Sequence, residues 1–188
     1  QPRRLHQPLS WRRRMLWLGA AGIAAVGVAM AANNAFGPRR GGTFTIPASA
    51  KVLVITTESG DVQLRAAVGT PVGEWSDKLA PGAQTPTVIM DGDTARISGD
   101  GRTDLTIGVA QGVEVRVETR SGDVTGSDLT AAGVTVQTAS GDVQLRLSSA
   151  GGQVTVSTAS GDVQVRLSGA PEGVTVSTAS GDVSITLP

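Results

Sequence analysis

The chain has 188 residues, sixteen basic and sixteen acidic side chains, no cysteine and one histidine. A disulfide framework and thiolate chemistry are excluded, and because the histidine, His6, lies in an arginine-rich N-terminal stretch, histidine-based catalysis has no candidate further along. Seven arginines fall within residues 1–40 and all the acids beyond, so the remainder holds nine basic against sixteen acidic residues, a balance that disfavours nucleic-acid binding.

Residues 1–14 carry Arg3, Arg4, Arg12, Arg13 and Arg14 without an acid and read as a basic cytoplasmic tail. Met15 to Ala32 is an uncharged apolar run of 18 residues, which as a helix spans about 27 Å, close to a bilayer core. Two readings are open. The length fits an uncleaved transmembrane signal-anchor, while the small residues Ala29, Met30 and Ala31 and the arginines before Met15 fit a signal peptide that is removed. Trp11 and Trp17 are expected at the membrane interface. Either way residues 33–42 form a linker, and the rest is expected outside the cell, held by a single-pass membrane helix or secreted.

Residues 43–112 make an irregular first part of a β domain. Leu53, Ile55, Val62 and Leu64 alternate around a Ser-Gly-Asp-Val word at 59–62, and Leu105, Ile107 and Val109 alternate like another strand. Between them, residues 66–87 hold Pro71, Pro81 and Pro86 and read as an excursion, either a large loop or a small non-solenoid sheet.

Residues 113–188 are regular. The same word returns at 121–124, 140–143, 160–163 and 180–183, in steps of 19, 20 and 20 residues. The last three frames read VTVQTASGDVQLRL from Val134, VTVSTASGDVQVRL from Val154 and VTVSTASGDVSITL from Val174. Alternation puts Val134 and Val136 on one face of a first strand and Val143, Leu145 and Leu147 on one face of a second, with a glycine turn between. A hairpin satisfies one frame; a constant step favours coils that place Val134 over Val154 over Val174, strand pairing in parallel with its equivalent. The expected fold is all-β, a parallel β-helix or β-solenoid of about 20-residue coils, preceded by the N-terminal helix. In the coil around Ser121, Gly126 stands where a core residue belongs and the step is 19, which predicts a bulge or a local break.

Two rows of side chains suggest chemistry. Asp142, Asp162 and Asp182 are expected to stack at about the 4.8 Å strand spacing. They are either turn caps or, with Arg146 and Arg166, a calcium site of the kind used by polysaccharide lyases; the short uniform turn favours caps, because calcium takes six to eight oxygens. No catalytic, cofactor or metal residue is therefore assigned. Thr135, Thr155 and Thr175, beside Gln137, Ser157 and Ser177, form a flat polar face, which is ordinary for outward strand positions but also able to hold ice, a glycan or wall polymer. Aromatics for stacking sugar rings are scarce: only Phe36, Phe44 and Trp75 follow the apolar segment.

The leader, the first Ser-Gly-Asp-Val copy, the stretch DLTIGVAQGVEVRV from Asp104 to Val117 and the serial Thr-Ala-Ser-Gly-Asp-Val words resemble a bacterial family of adhesin-like domains built from β-strand repeats, over about residues 43–188. The resemblance implies a right-handed β-helix-like fold, often membrane-anchored and extracytoplasmic, with no established enzymatic activity and no agreed binding residues. Some relatives belong to envelope-stress systems.

Together these features predict a non-enzymatic, membrane-tethered envelope interaction module without cofactors, its ligand an envelope polymer or protein. An envelope-stress sensor and a calcium-dependent lyase are the alternatives. The last coil, with Val174, Val176, Val183, Ile185 and Leu187, lacks a polar cap in the sequence and is expected to be covered by further sequence, a second copy or a partner strand.

Overall fold

The computed structural model describes residues 41–77 and 85–188. The basic tail, the apolar segment 15–32 and most of the linker lie outside the described residues.

Strict alternation makes the strands. In β9 (Gly133–Ser140), Val134 and Val136 turn inward and Gln137 outward; after Gly141 and Asp142, β10 (Val143–Ala150) buries Val143, Leu145 and Leu147. The frame repeats in β11 (Gln153–Ser160) with β12 (Val163–Leu167), and in β13 (Gly173–Ser180) with β14 (Val183–Thr186). First strands pair with first strands in parallel, Val134 to Val154 to Val174, and second with second, Val143 to Val163 to Val183. The expected coils, not hairpins, are therefore present. Buried aliphatic residues from both sheets make one continuous core.

Glycine is required at each turn. Gly122, Gly141, Gly161 and Gly181 have φ of 134° to 141°, and a Cβ on any of them would collide with the backbone oxygen of the turn glycine in the coil before. Both constraints exclude a side chain.

Upstream the order in space departs from the order in sequence. β7 (Glu114–Ser121) and β8 (Val124–Ala131) form the next coil, and the early copy, β2 (Val52–Ser59) with β3 (Val62–Ala66), stacks on it. Beyond lies β6 (Thr94–Val109), one long strand whose first half extends β2's sheet and whose second half extends β3's. The early copy is thus sandwiched between two coils. Lys51 helps fix this junction: its backbone N–H donates to the Asp93 carbonyl at 2.8 Å and its Nζ meets the Asp93 carboxylate at 2.9 Å.

The excursion resolves as a small sheet. β4 (Val72–Asp77) and β5 (Thr87–Asp91) run antiparallel to the two halves of β6, and β1 (Gly41–Thr45) runs antiparallel to β4. These strands cover that end of the stack, where Phe44, Ile46 and Val88 join the core. At the other end nothing among the described residues pairs with the outer edges of β13 and β14, and Val183, Ile185 and Leu187 are 45%, 42% and 59% exposed.

The 19-residue step and the bulge have separate causes. Ala132 alone joins β8 to β9 where Gly151 and Gly152 join β10 to β11, which removes one residue. Within β8, Leu145 pairs with Gly126 but Leu147 pairs with Leu129, so one extra residue is accommodated by Asp128 at φ 53°. Leu129, fully buried, fills the space in front of Gly126.

Candidate functional site

The aspartates form a ladder that crosses the coils. Each carboxylate Oδ1 accepts the backbone N–H of the next aspartate: Asp104 from Asp61 at 3.0 Å, Asp61 from Asp123 at 3.1 Å, Asp123 from Asp142 and Asp142 from Asp162 at 2.9 Å, and Asp162 from Asp182 at 2.8 Å. The turn requires it. The neighbouring Gly and Val N–H groups point the other way along the stack, Gly141 to the Ser160 carbonyl and Val143 to the Asp162 carbonyl. The intervening Asp N–H faces the preceding coil, where a side chain supplies the acceptor. These carboxylates cap the turns. Arg146 and Arg166 stand four residues further along their strands, about 13 Å from the aspartates, so the structure does not gather the two sets into one site.

The broader concave feature is a groove on the sheet of first strands. Its volume is about 860 Å³, and it runs across five coils from Thr56 and Glu58 through Glu118 and Arg120 to Gln137, Ser157 and Ser177. The register explains the alignment: Thr56, Glu118, Gln137, Ser157 and Ser177 occupy one row, and Arg116, Thr135, Thr155 and Thr175 the next. The expected Thr row and its neighbours therefore share one surface. Ala139, Ala159 and Ala179 keep one wall low. Ser177 Oγ donates to Ser157 Oγ at 3.3 Å, and Arg116 is held by Glu114 at 2.8 Å. Charge is confined to one end of the groove. Towards the last coil it offers hydroxyls and one amide, with Phe44 and Trp75, the aromatics among the described residues, packed at the far cap.

Sequence reasoning missed the rungs Asp61, Asp104 and Asp123 of the ladder and one entire row of threonines. Asp104 opens the ladder although Thr103 stands where the other coils have glycine; the decoy Ser98, Gly99 and Asp100 lies where β6 carries one extra residue against β2. Thr57, Thr119, Thr138, Thr158 and Thr178 form an inward row below the groove. The period of two that placed Val134 and Val136 inside also places Thr138 there, so the signal was present.

Parallel coils around an aliphatic core, closed at one end by antiparallel strands, define a β-solenoid domain with a polar outer face. The chain belongs to the Toastrack DUF4097 family, whose signature spans residues 29–188. No curated protein matches it. Among solved structures, a candidate cell adhesion protein from Clostridium sporogenes shares the fold, with a TM-score of 0.56 over 79% of this chain and 99% of that one at 8% identity. A candidate adhesin from Bacteroides fragilis (TM-score 0.29, 12% identity, 79% and 97% covered) and a candidate lipid binding protein from Parabacteroides distasonis (0.32, 12%, 77% and 78%) are more distant.

Proposed function

We propose that the chain is a non-enzymatic, adhesin-like module of the cell envelope, tethered through residues 15–32, that grips an extended polar polymer along the groove of its first-strand sheet. The carrying observation is the groove itself: a shallow channel crossing five coils, lined by repeated Thr and Ser side chains and Gln137 on a rigid sheet. A flat array of donors and acceptors at constant spacing suits a ligand that also repeats. The aspartates, the obvious acids for a lyase, are engaged in bonds to backbone N–H groups, which supports binding over catalysis. The test is retention of purified envelope polysaccharide by the full chain in neutral detergent. Ser157→Trp, an outward substitution that obstructs the channel, is expected to weaken retention about tenfold; unchanged retention would contradict the reading.

The same proposal assigns the open last coil to a second copy. The unpaired edges of β13 and β14, beside Val183 and Ile185, match those of another copy about a two-fold axis. Sedimentation of the full chain in detergent should show a concentration-dependent dimer. A monomer at all concentrations removes this assignment and leaves the groove reading standing.

A further inference from the structure

The opposite sheet carries a cationic hollow that the groove reading does not use. Arg146 and Arg166 are exposed and in register on β10 and β12, so they leave neighbouring strands about 4.8 Å apart. Gln144 and Gln164 stand in register two residues earlier. Next to them β8 offers only the short side chains of Thr125 and Ser127, and this step from long to short residues leaves a hollow of about 200 Å³. On the far side of β8, Gln63 and Arg65 pair with Thr125 and Ser127, and Arg65 Nη2 donates to Gln63 Oε1 at 3.0 Å. Guanidinium groups therefore flank the short strand from both sides.

No carboxylate among the described residues pairs with Arg146 or Arg166. The nearby acids are Asp128, exposed in the bulge, and the ladder aspartates some four residues up the strands. Arg116 on the other sheet, by contrast, is neutralised by Glu114. Residues 41–188 hold nine basic against sixteen acidic side chains, so aligning three arginines on one face runs against composition. Stacked like charges repel unless an anion lies between them. The hollow itself is lined by the guanidinium forks of Arg146 and Arg166, the amides of Gln144 and Gln164 and the hydroxyls of Thr125 and Ser127.

From this placement we infer that the hollow binds a phosphate monoester. Its dianion matches two guanidiniums, and its three terminal oxygens match the guanidinium, amide and hydroxyl donors of the lining, whereas a carboxylate brings one charge and two oxygens. The group comes either from a soluble phosphate compound or from a lipid headgroup.

The test uses the full chain in neutral detergent and calorimetric titration with two phosphate monoesters, glycerol 3-phosphate and short-chain phosphatidic acid, against phosphatidylcholine of equal length. Arg146→Gln with Arg166→Gln is expected to weaken binding of at least one probe about tenfold or more. Arg96→Gln, exposed on the first half of β6 in the other sheet, should leave it unchanged. Loss confined to glycerol 3-phosphate identifies a soluble ligand, and loss confined to phosphatidic acid identifies a headgroup. Since all three residues face solvent, unchanged melting will show that the variants remain folded. Equal affinity of the double variant and the parent for both probes, or no binding of either by the parent, overturns the assignment.

Discussion

Asp162 is used twice, donating its backbone N–H to Asp142 and accepting that of Asp182 through its side chain. Asp162→Ala removes the acceptor and should lower stability by about 1 kcal/mol. Asp162→Asn keeps a carbonyl oxygen in place and reduces the stacked charge, so its loss should be much smaller. Thermal unfolding of the two variants distinguishes this capping role from an electrostatic one, in which Asn and Ala would behave alike. The buried threonines give an opposed pair. Thr158 Oγ1 donates to the Ser160 carbonyl at 3.2 Å, while the buried Thr119 hydroxyl has no partner. Thr158→Val should cost about 1 kcal/mol, and Thr119→Val should be neutral or stabilising by up to about the same amount. Equal destabilisation by both would contradict this account. The spacing of the last aspartates was legible in the sequence; their bonding was not, because the partner of each carboxylate is a backbone group 19 to 62 residues away that comes near only once the coils stack.

The bulge in β8 shows how an element keeps a core layer intact when its sequence breaks the pattern. Gly126 cannot fill the layer, and an added Cβ would lie 2.9 Å from Leu145 and 3.1 Å from Leu129. Asp128 in the left-handed region then turns Leu129 into the vacated place. Leu129→Ala should open a cavity and cost about 2–5 kcal/mol, as a full core leucine would, although Leu129 lies off the repeat. A cost under about 1 kcal/mol, the range of surface positions, would show that the layer does not depend on it. The sequence announced the defect through Gly126. It did not announce the remedy, since a leucine three positions later has the wrong parity for an unbroken strand. Strands β4 and β5 were hidden for a related reason: their pairing with β6 is antiparallel and carries none of the repeated words.

At the scale of the molecule, stability comes from neighbours. One coil buries its valines and leucines only when another coil lies on each side, so the core is a sum of similar interfaces rather than a unique jigsaw. The exception is the early part, where the copy at Val52–Ala66 is inserted between β6 and the coil of β7 and β8. Period alone predicts that coils follow one another; it has no means of signalling a chain that returns to the outside, caps itself and then passes to the far side. The repeated part was read from the sequence almost strand for strand, because identical residues at a constant step leave one register that superimposes their apolar faces. The outward rows followed from the same register. Which row holds a ligand did not, since threonine is as good a strand former as it is a contact.

The most direct test of stacking is removal of one whole coil. Deleting residues 141–160 joins Ser140 to Gly161, rebuilds the same turn, and brings Val134 beneath Val174 with the cap and the last coil untouched. The account predicts a shorter protein that still unfolds cooperatively, with a β-sheet circular dichroism spectrum, a lower melting temperature and protected amides in the coils that remain. A chain that loses its cooperative transition and its amide protection throughout would contradict it.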